Sequence, residues 1–101
     1  MFTAKLVCDS CGYQSDDFVD GFGDDLYTVI CQHTSTHDIR IVEVRYSEIP
    51  IESTSDPQIE ALVPHSEETV IQTNPGYDER LEAPCPKCGA KTLMKTMTGL
   101  V

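Results

Sequence analysis

The chain has 101 residues, 40% of them hydrophobic, and a formal net charge of -10. That length fits one domain with a modest core, a size at which folds often need a covalent or metal staple. No apolar run reaches the roughly 18 residues of a membrane-spanning helix, and such an acidic chain does not resemble a phosphate-binding domain, which is normally basic.

The charge is unevenly distributed. Residues 12–84 hold sixteen acidic residues against Arg40, Arg45 and Arg80, whereas the ends hold Lys5, Lys87, Lys91 and Lys95 against Asp9. The acidic middle should repel nucleic acid, whose binding needs several cationic contacts. Contact with an anionic partner is left to Lys87, Lys91 and Lys95 at the basic end. The plainer reading of those lysines is that they offset thiolate charge nearby.

In chain order, Phe2 to Cys8 reads as a strand, with Phe2, Ala4, Leu6 and Cys8 on one face by the period of two. Met1–Lys5 leads straight into the first cysteine pair, which leaves no room for a signal peptide. The expected setting is therefore a reducing cytoplasm, where paired cysteines act as ligands or redox groups more than as structural disulfides. Residues 13–25 read as a solvated acidic loop broken by Gly21 and Gly23, tucked onto the core by Phe18, Val19 and Phe22. Its aspartates lack the ligand spacing of an EF-hand.

Residues 26–33 and 39–47 are rich in β-branched residues and read as two strands. The short polar link Thr34–Asp38 makes them a hairpin. On the second strand Arg40, Val42, Val44 and Tyr46 share one face, and Ile39, Ile41, Glu43 and Arg45 the other. Pro50, Pro57 and Pro64 suit an exposed connection, with a short helix over Gln58–Val63 as one option. Residues 67–73 read as a strand, Asn74-Pro75-Gly76 as a turn, and Lys91–Thr98 as a last strand.

Two motifs carry the chemistry: Cys8-Asp9-Ser10-Cys11-Gly12 and Cys85-Pro86-Lys87-Cys88-Gly89. Two intervening residues let one turn present both thiolates to one ion, and two such turns complete a tetrahedron of sulfur. Pro86 pre-sets one backbone angle of the second turn. A redox Cys-x-x-Cys normally opens a helix, and neither pair is followed by a helical pattern. Tetrahedral sulfur suits zinc, and also iron.

These knuckles resemble those of the zinc ribbon, a rubredoxin-like family of small antiparallel β-structures. The resemblance covers about the first dozen and last two dozen residues. It implies one structural zinc bound by Cys8, Cys11, Cys85 and Cys88. The departure is the spacing: 73 residues separate Cys11 from Cys85, where compact four-cysteine sites have roughly 15–20. The expectation is a mostly β single domain, 1–101, whose antiparallel sheet is built on a zinc ribbon. Residues 13–84 form a long, β-rich acidic insertion between the knuckles, and the ribbon's usual third strand comes from it.

Cys31, His33 and His37 have the spacing of a second metal site. The plainer reading makes Cys31 a small buried apolar residue with the histidines at a polar hairpin end, and His65 a surface residue. No phosphate loop, nucleophile elbow or metalloprotease helix is present. The expected function is a non-enzymatic module for a protein partner, recognised through the acidic middle. The alternatives are a nucleic-acid-associated ribbon of transcription or translation, and a rubredoxin-like electron carrier or redox dithiol protein.

Overall fold

Alternation of apolar and polar residues favours strands that bury one face, and seven strands form among the described residues. In the computed structural model, which describes residues 2–20, 26–45, 64–71, 74 and 76–100, they are β1 (Phe2–Cys8), β2 (Phe18–Asp20), β3 (Leu26–His33), β4 (Ile39–Arg45), β5 (Glu68–Ile71), β6 (Glu79–Arg80) and β7 (Leu93–Leu100). All pairings are antiparallel, and the described residues contain no helix. The option of a helix over 58–63 lies outside the described residues, as do Phe22, Tyr46 and Pro75.

The strands form two sheets, ordered β2-β1-β7-β6 and β4-β3-β5. The central event is the pairing of β1 with β7, from Phe2 opposite Leu100 to Cys8 opposite Leu93. It joins strands at the two ends of the sequence and sets both cysteine knuckles at one end of one ladder. The outer strands β2 and β6 both come from the segment between the knuckles.

Two of these strands correct the expectation from sequence. Residues 13–25 were expected as a loop, but Phe18–Asp20 pairs with β1, and Gln14 bridges to Val7. Residues 77–84 read only as a lead to the second knuckle, yet Glu79 and Arg80 pair with β7. Both strands are too short to carry a periodic signal, and both exist because β1 and β7 offer free edges to them.

The main core lies between the sheets. Ala4, Leu6, Cys8 and Phe18 from the first sheet meet Ile30 from the second, with Leu81, Ala83, Cys85 and Leu93 completing the cluster. Ile39, Ile41 and Ile71 pack against it from the second sheet. The opposite face of that sheet holds Val29, Cys31 and Val44, joined by Val42 and Val70. A sheet apolar on both faces explains why β3 reads as a nearly continuous run of apolar residues. Arg40 and Glu68 tie β4 to β5 by a two-pronged ion pair, Nη2 to Oε1 at 2.6 Å and Nε to Oε2 at 3.1 Å. The Arg40 guanidinium and the backbone N–H of His65 draw the Glu68 carboxyl down to about 2.

The largest departure is polar. Asp20, expected in a solvated loop, and Lys95, expected at the surface, are 2% and 0% exposed. Lys95 Nζ lies 3.0 Å from Asp20 Oδ2 and 3.5 Å from Glu79 Oε1, and it donates to the Asn74 carbonyl. The Gly76 N–H donates to the same Asp20 oxygen. One lysine therefore fastens β2, β6, β7 and the turn before β6, and it is not among the charges offered to a partner.

Removing one member of a buried ion pair leaves the other uncompensated. Lys95→Met is expected to destabilise the fold by about 3–5 kcal/mol in urea titration, and the double change Lys95→Met with Asp20→Leu should recover part of that loss. Acid should also loosen the β4–β5 tie. The depressed Glu68 carboxyl contributes stability that is fully present above its unfolded value near 4.5 and is lost as pH falls through about 2. Arg40→Met should remove that acid-dependent component from the unfolding curve.

Candidate metal centre

The two knuckles are built alike. In the first, the Gly12 N–H donates to the Cys8 carbonyl at 3.0 Å and the Cys8 N–H to the Tyr13 carbonyl at 2.9 Å. In the second, the Gly89 N–H donates to the Cys85 carbonyl and the Cys85 N–H to the Ala90 carbonyl, both at 2.9 Å. Gly12 and Gly89 have φ of 78° and 76°. A Cβ at either position would meet nothing within 4 Å, so the backbone angle, and not lack of space, calls for glycine there.

This geometry brings the four sulfurs together. The Sγ atoms of Cys8, Cys11, Cys85 and Cys88 all lie within 4.8 Å of one another, a group that could hold a metal ion. Cys8 Sγ is 3.7 Å from Cys88 Sγ, and Cys11 Sγ is 3.6 Å from Cys85 Sγ. A disulfide has its sulfurs at about 2.05 Å, and all five cysteines of the chain are free thiols. With metal–sulfur bonds of about 2.3 Å, a regular tetrahedron has edges of about 3.8 Å. Both close contacts run between knuckles, so the cluster spans 80 residues of sequence.

The surroundings favour thiolate at some positions and oppose it at others. Thr92 Oγ1 lies 3.0 Å from Cys8 Sγ, where its hydroxyl can donate to the sulfur. That contact, with the backbone N–H groups of Cys11 and Ser10, lowers the Cys8 thiol to about 6. Burial pushes Cys11 up to about 12, with Cys85, Cys8 and Cys88 adding to the rise. In the second knuckle the Lys87 N–H points at Cys85 Sγ at 3.3 Å. Cys8 and Cys85 are buried, Cys11 is half-buried and Cys88 is exposed, so the cluster is open to solvent on one side.

Sequence reasoning identified all four cysteines but neither Thr92 nor Gln32. Buried Gln32 on β3 donates from Nε2 to the Pro84 carbonyl at 2.6 Å and to the His37 carbonyl at 3.1 Å. It thereby braces the residue before Cys85 against the second sheet. Nothing local in the sequence marks this contact, which spans 52 positions.

Cys31, His33 and His37 do not come together as a ligand set. Among the described residues the four-cysteine group is the one cluster close enough to share an ion. Cys31 is fully buried, and burial raises its thiol above the usual range. His33 Nδ1 accepts hydrogen bonds from the backbone N–H groups of Ser35 and Thr36, both at 3.1 Å. Its Nε2 faces Glu67 at 3.2 Å. The histidine organises its own hairpin turn. His65 is exposed, as expected.

No protein-family model, curated protein or solved structure matches the chain.

Outer hydrogen bonds to a ligand typically change metal affinity 10- to 100-fold. Thr92→Val should therefore weaken metal retention by roughly tenfold in competition with a chromophoric chelator, and Thr92→Ser should retain it. Because the hydroxyl favours the Cys8 thiolate, its loss lets protons compete better. The pH of half-release should move upward in Thr92→Val.

Proposed function

We propose that the chain is a small zinc protein in which Cys8, Cys11, Cys85 and Cys88 hold one structural zinc ion in a ribbon-like clamp. The folded body serves as a module for binding another protein. The observation that carries the metal reading is the pair of cross-knuckle contacts at 3.7 and 3.6 Å, close to the edge of a zinc–sulfur tetrahedron. Four sulfur ligands fill the coordination sphere and leave no open position for a substrate or water, which supports a structural role over a catalytic one.

When bound, zinc supplies positive charge that compensates the thiolates. The chain's own groups do the rest: the Ser10, Cys11 and Lys87 N–H groups and the Thr92 hydroxyl direct hydrogen toward sulfur. A dication with no redox chemistry of its own, zinc in such a site acts on stability. Structural zinc sites contribute on the order of 10 kcal/mol to folding, as much as an ordinary domain possesses in total.

A protein partner is favoured over nucleic acid by charge. With Lys95 buried in its own ion pairs, the basic end offers Lys87 and Lys91 as exposed cations, too few for a phosphate-backbone footprint. The acidic body is suited to a basic partner surface.

Elemental analysis of protein purified without added metal should give one zinc per chain. Cys85→Ser should lose the metal and most of the thermal stability, while Cys31→Ala should keep the one-to-one ratio. Iron in place of zinc, with visible colour, would overturn the structural reading in favour of electron transfer. A second metal equivalent lost in Cys31→Ala would overturn the single-site reading.

A further inference from the structure

The seam between the two sheets is not closed along its whole length. A groove of about 550 Å³ opens between the segment leading into β2 and the strand β4, within the size range of binding pockets. Its floor is Tyr13, Phe18, Ile39 and Ile41. Tyr13, Ile39 and Ile41 are only half-buried, so apolar surface remains for a ligand to cover. The rim holds Asp16, Asp17 and Glu43, all exposed. None of the lining residues is cationic. Two cations stand near its ends: Lys5, which donates to Gln14 at 3.0 Å, and exposed Arg45, two residues beyond Glu43 on β4.

We infer that this groove binds a basic, apolar segment of another protein, with aliphatic or aromatic side chains on the floor and lysine or arginine against the acidic rim. The inference rests on the interaction-module reading and names its partner class.

Charge selects the occupant. The chain's own segments 21–25 and 46–63 carry Asp24, Asp25, Glu48, Glu52, Asp56 and Glu60, with no Lys or Arg. They repel the rim. A second copy brings a net charge of -10 and is opposed in the same way. A cationic segment gains steering toward the rim before contact, and burial of its apolar side chains against Ile39, Ile41 and Phe18 then supplies the hydrophobic part of the affinity. A purely polar cation would gain the first contribution without the second.

The test uses zinc-loaded protein and three ten-residue peptides. The first alternates Lys or Arg with Leu, Ile or Phe. The second keeps its apolar residues but replaces every cation by Glu, and the third keeps its cations but replaces every apolar residue by Ser. The first should bind at physiological salt, weaken as salt rises, and shift the methyl resonances of Ile39 and Ile41. The other two should bind at least tenfold more weakly. Asp17→Lys combined with Glu43→Lys should weaken the first peptide at least tenfold, whereas Glu82→Lys, an exposed change outside the groove, should leave it unchanged. Metal content is measured in every variant, so a loss of fold is recognised separately. Equal binding of the second or third peptide, or competition by spermidine as strong as by the first peptide, would overturn the inference. Binding that shifts other methyls would overturn the groove and leave the interaction reading standing. No binding of the first peptide to protein holding one zinc would overturn the groove while the metal reading stands.

Discussion

Everything in this fold depends on the ladder that joins Phe2–Cys8 to Leu93–Leu100. Without it the two knuckles belong to distant parts of one chain. With it they face each other, and four thiols share a few ångströms. Such a cluster is not self-sufficient. Four thiolates repel, and four thiols forgo the hydrogen bonds that the surrounding N–H groups and Thr92 are placed to make to negative sulfur. The opposed tendencies of Cys8, drawn down to about 6, and Cys11, pushed up to about 12, express that conflict. A divalent cation bound by all four sulfurs would ease it by offsetting half of the thiolate charge and bonding to each sulfur, and the ladder and such a clamp would then support each other.

A second constraint acts within the same ladder, where Lys95 pairs with Leu6, two residues from the Cys8–Leu93 pair. Lys95 sits at the centre of the first sheet, flanked by β1 and β6, with no exposed surface. Its charge is met by Asp20 and Glu79, which arrive from opposite edges. A buried ion pair is a poor source of net stability, but it is demanding about partners. If β2 or β6 docked in another register, a buried charge would be left alone. The four cysteines gather at one end of the sheet, and the charge cluster ties its two outer strands to Lys95 by geometry. The first gives strength, and the second gives register to two strands too short to define their own.

Much of this was legible in the sequence where the signal is local. Glycine after each Cys-x-x-Cys marks the positive φ that Gly12 and Gly89 adopt, alternation marks β1 and β4, and β-branched content marks β3. The hairpin across Thr34–Asp38 follows from its short polar link. What could not be read is what depends on distant partners. Asp20 looks like one more acid in a glycine-broken acidic stretch, and its burial is decided by Lys95, 75 positions away. β6 is two residues long, below any period. Gln32 looks like a polar residue in a strand, and only the packed sheets reveal that it holds Pro84.

The long insertion is less paradoxical than its length suggests. Closing a loop costs entropy that grows only with the logarithm of its length. Stretching the usual spacing of roughly 15–20 residues to the 73 found here is about two doublings, or about 1.2 kcal/mol. A chain that folds its excursion into a second sheet offsets that easily, since Ile30, Ile39, Ile41 and Ile71 all bring apolar surface to the main core. An inserted sheet also does what a minimal ribbon cannot: it creates a seam. Two sheets of different origin meet there, one organised by sulfur and the other by its own hairpin. Their edges need not match along the whole length. The groove beside Ile41 and Phe18 is one place where they do not, and its acidic rim is built from residues between the knuckles, on both sides of the seam. In the proposed function a clamp at the four cysteines keeps the structure together, while recognition is left to the part of the chain between the knuckles.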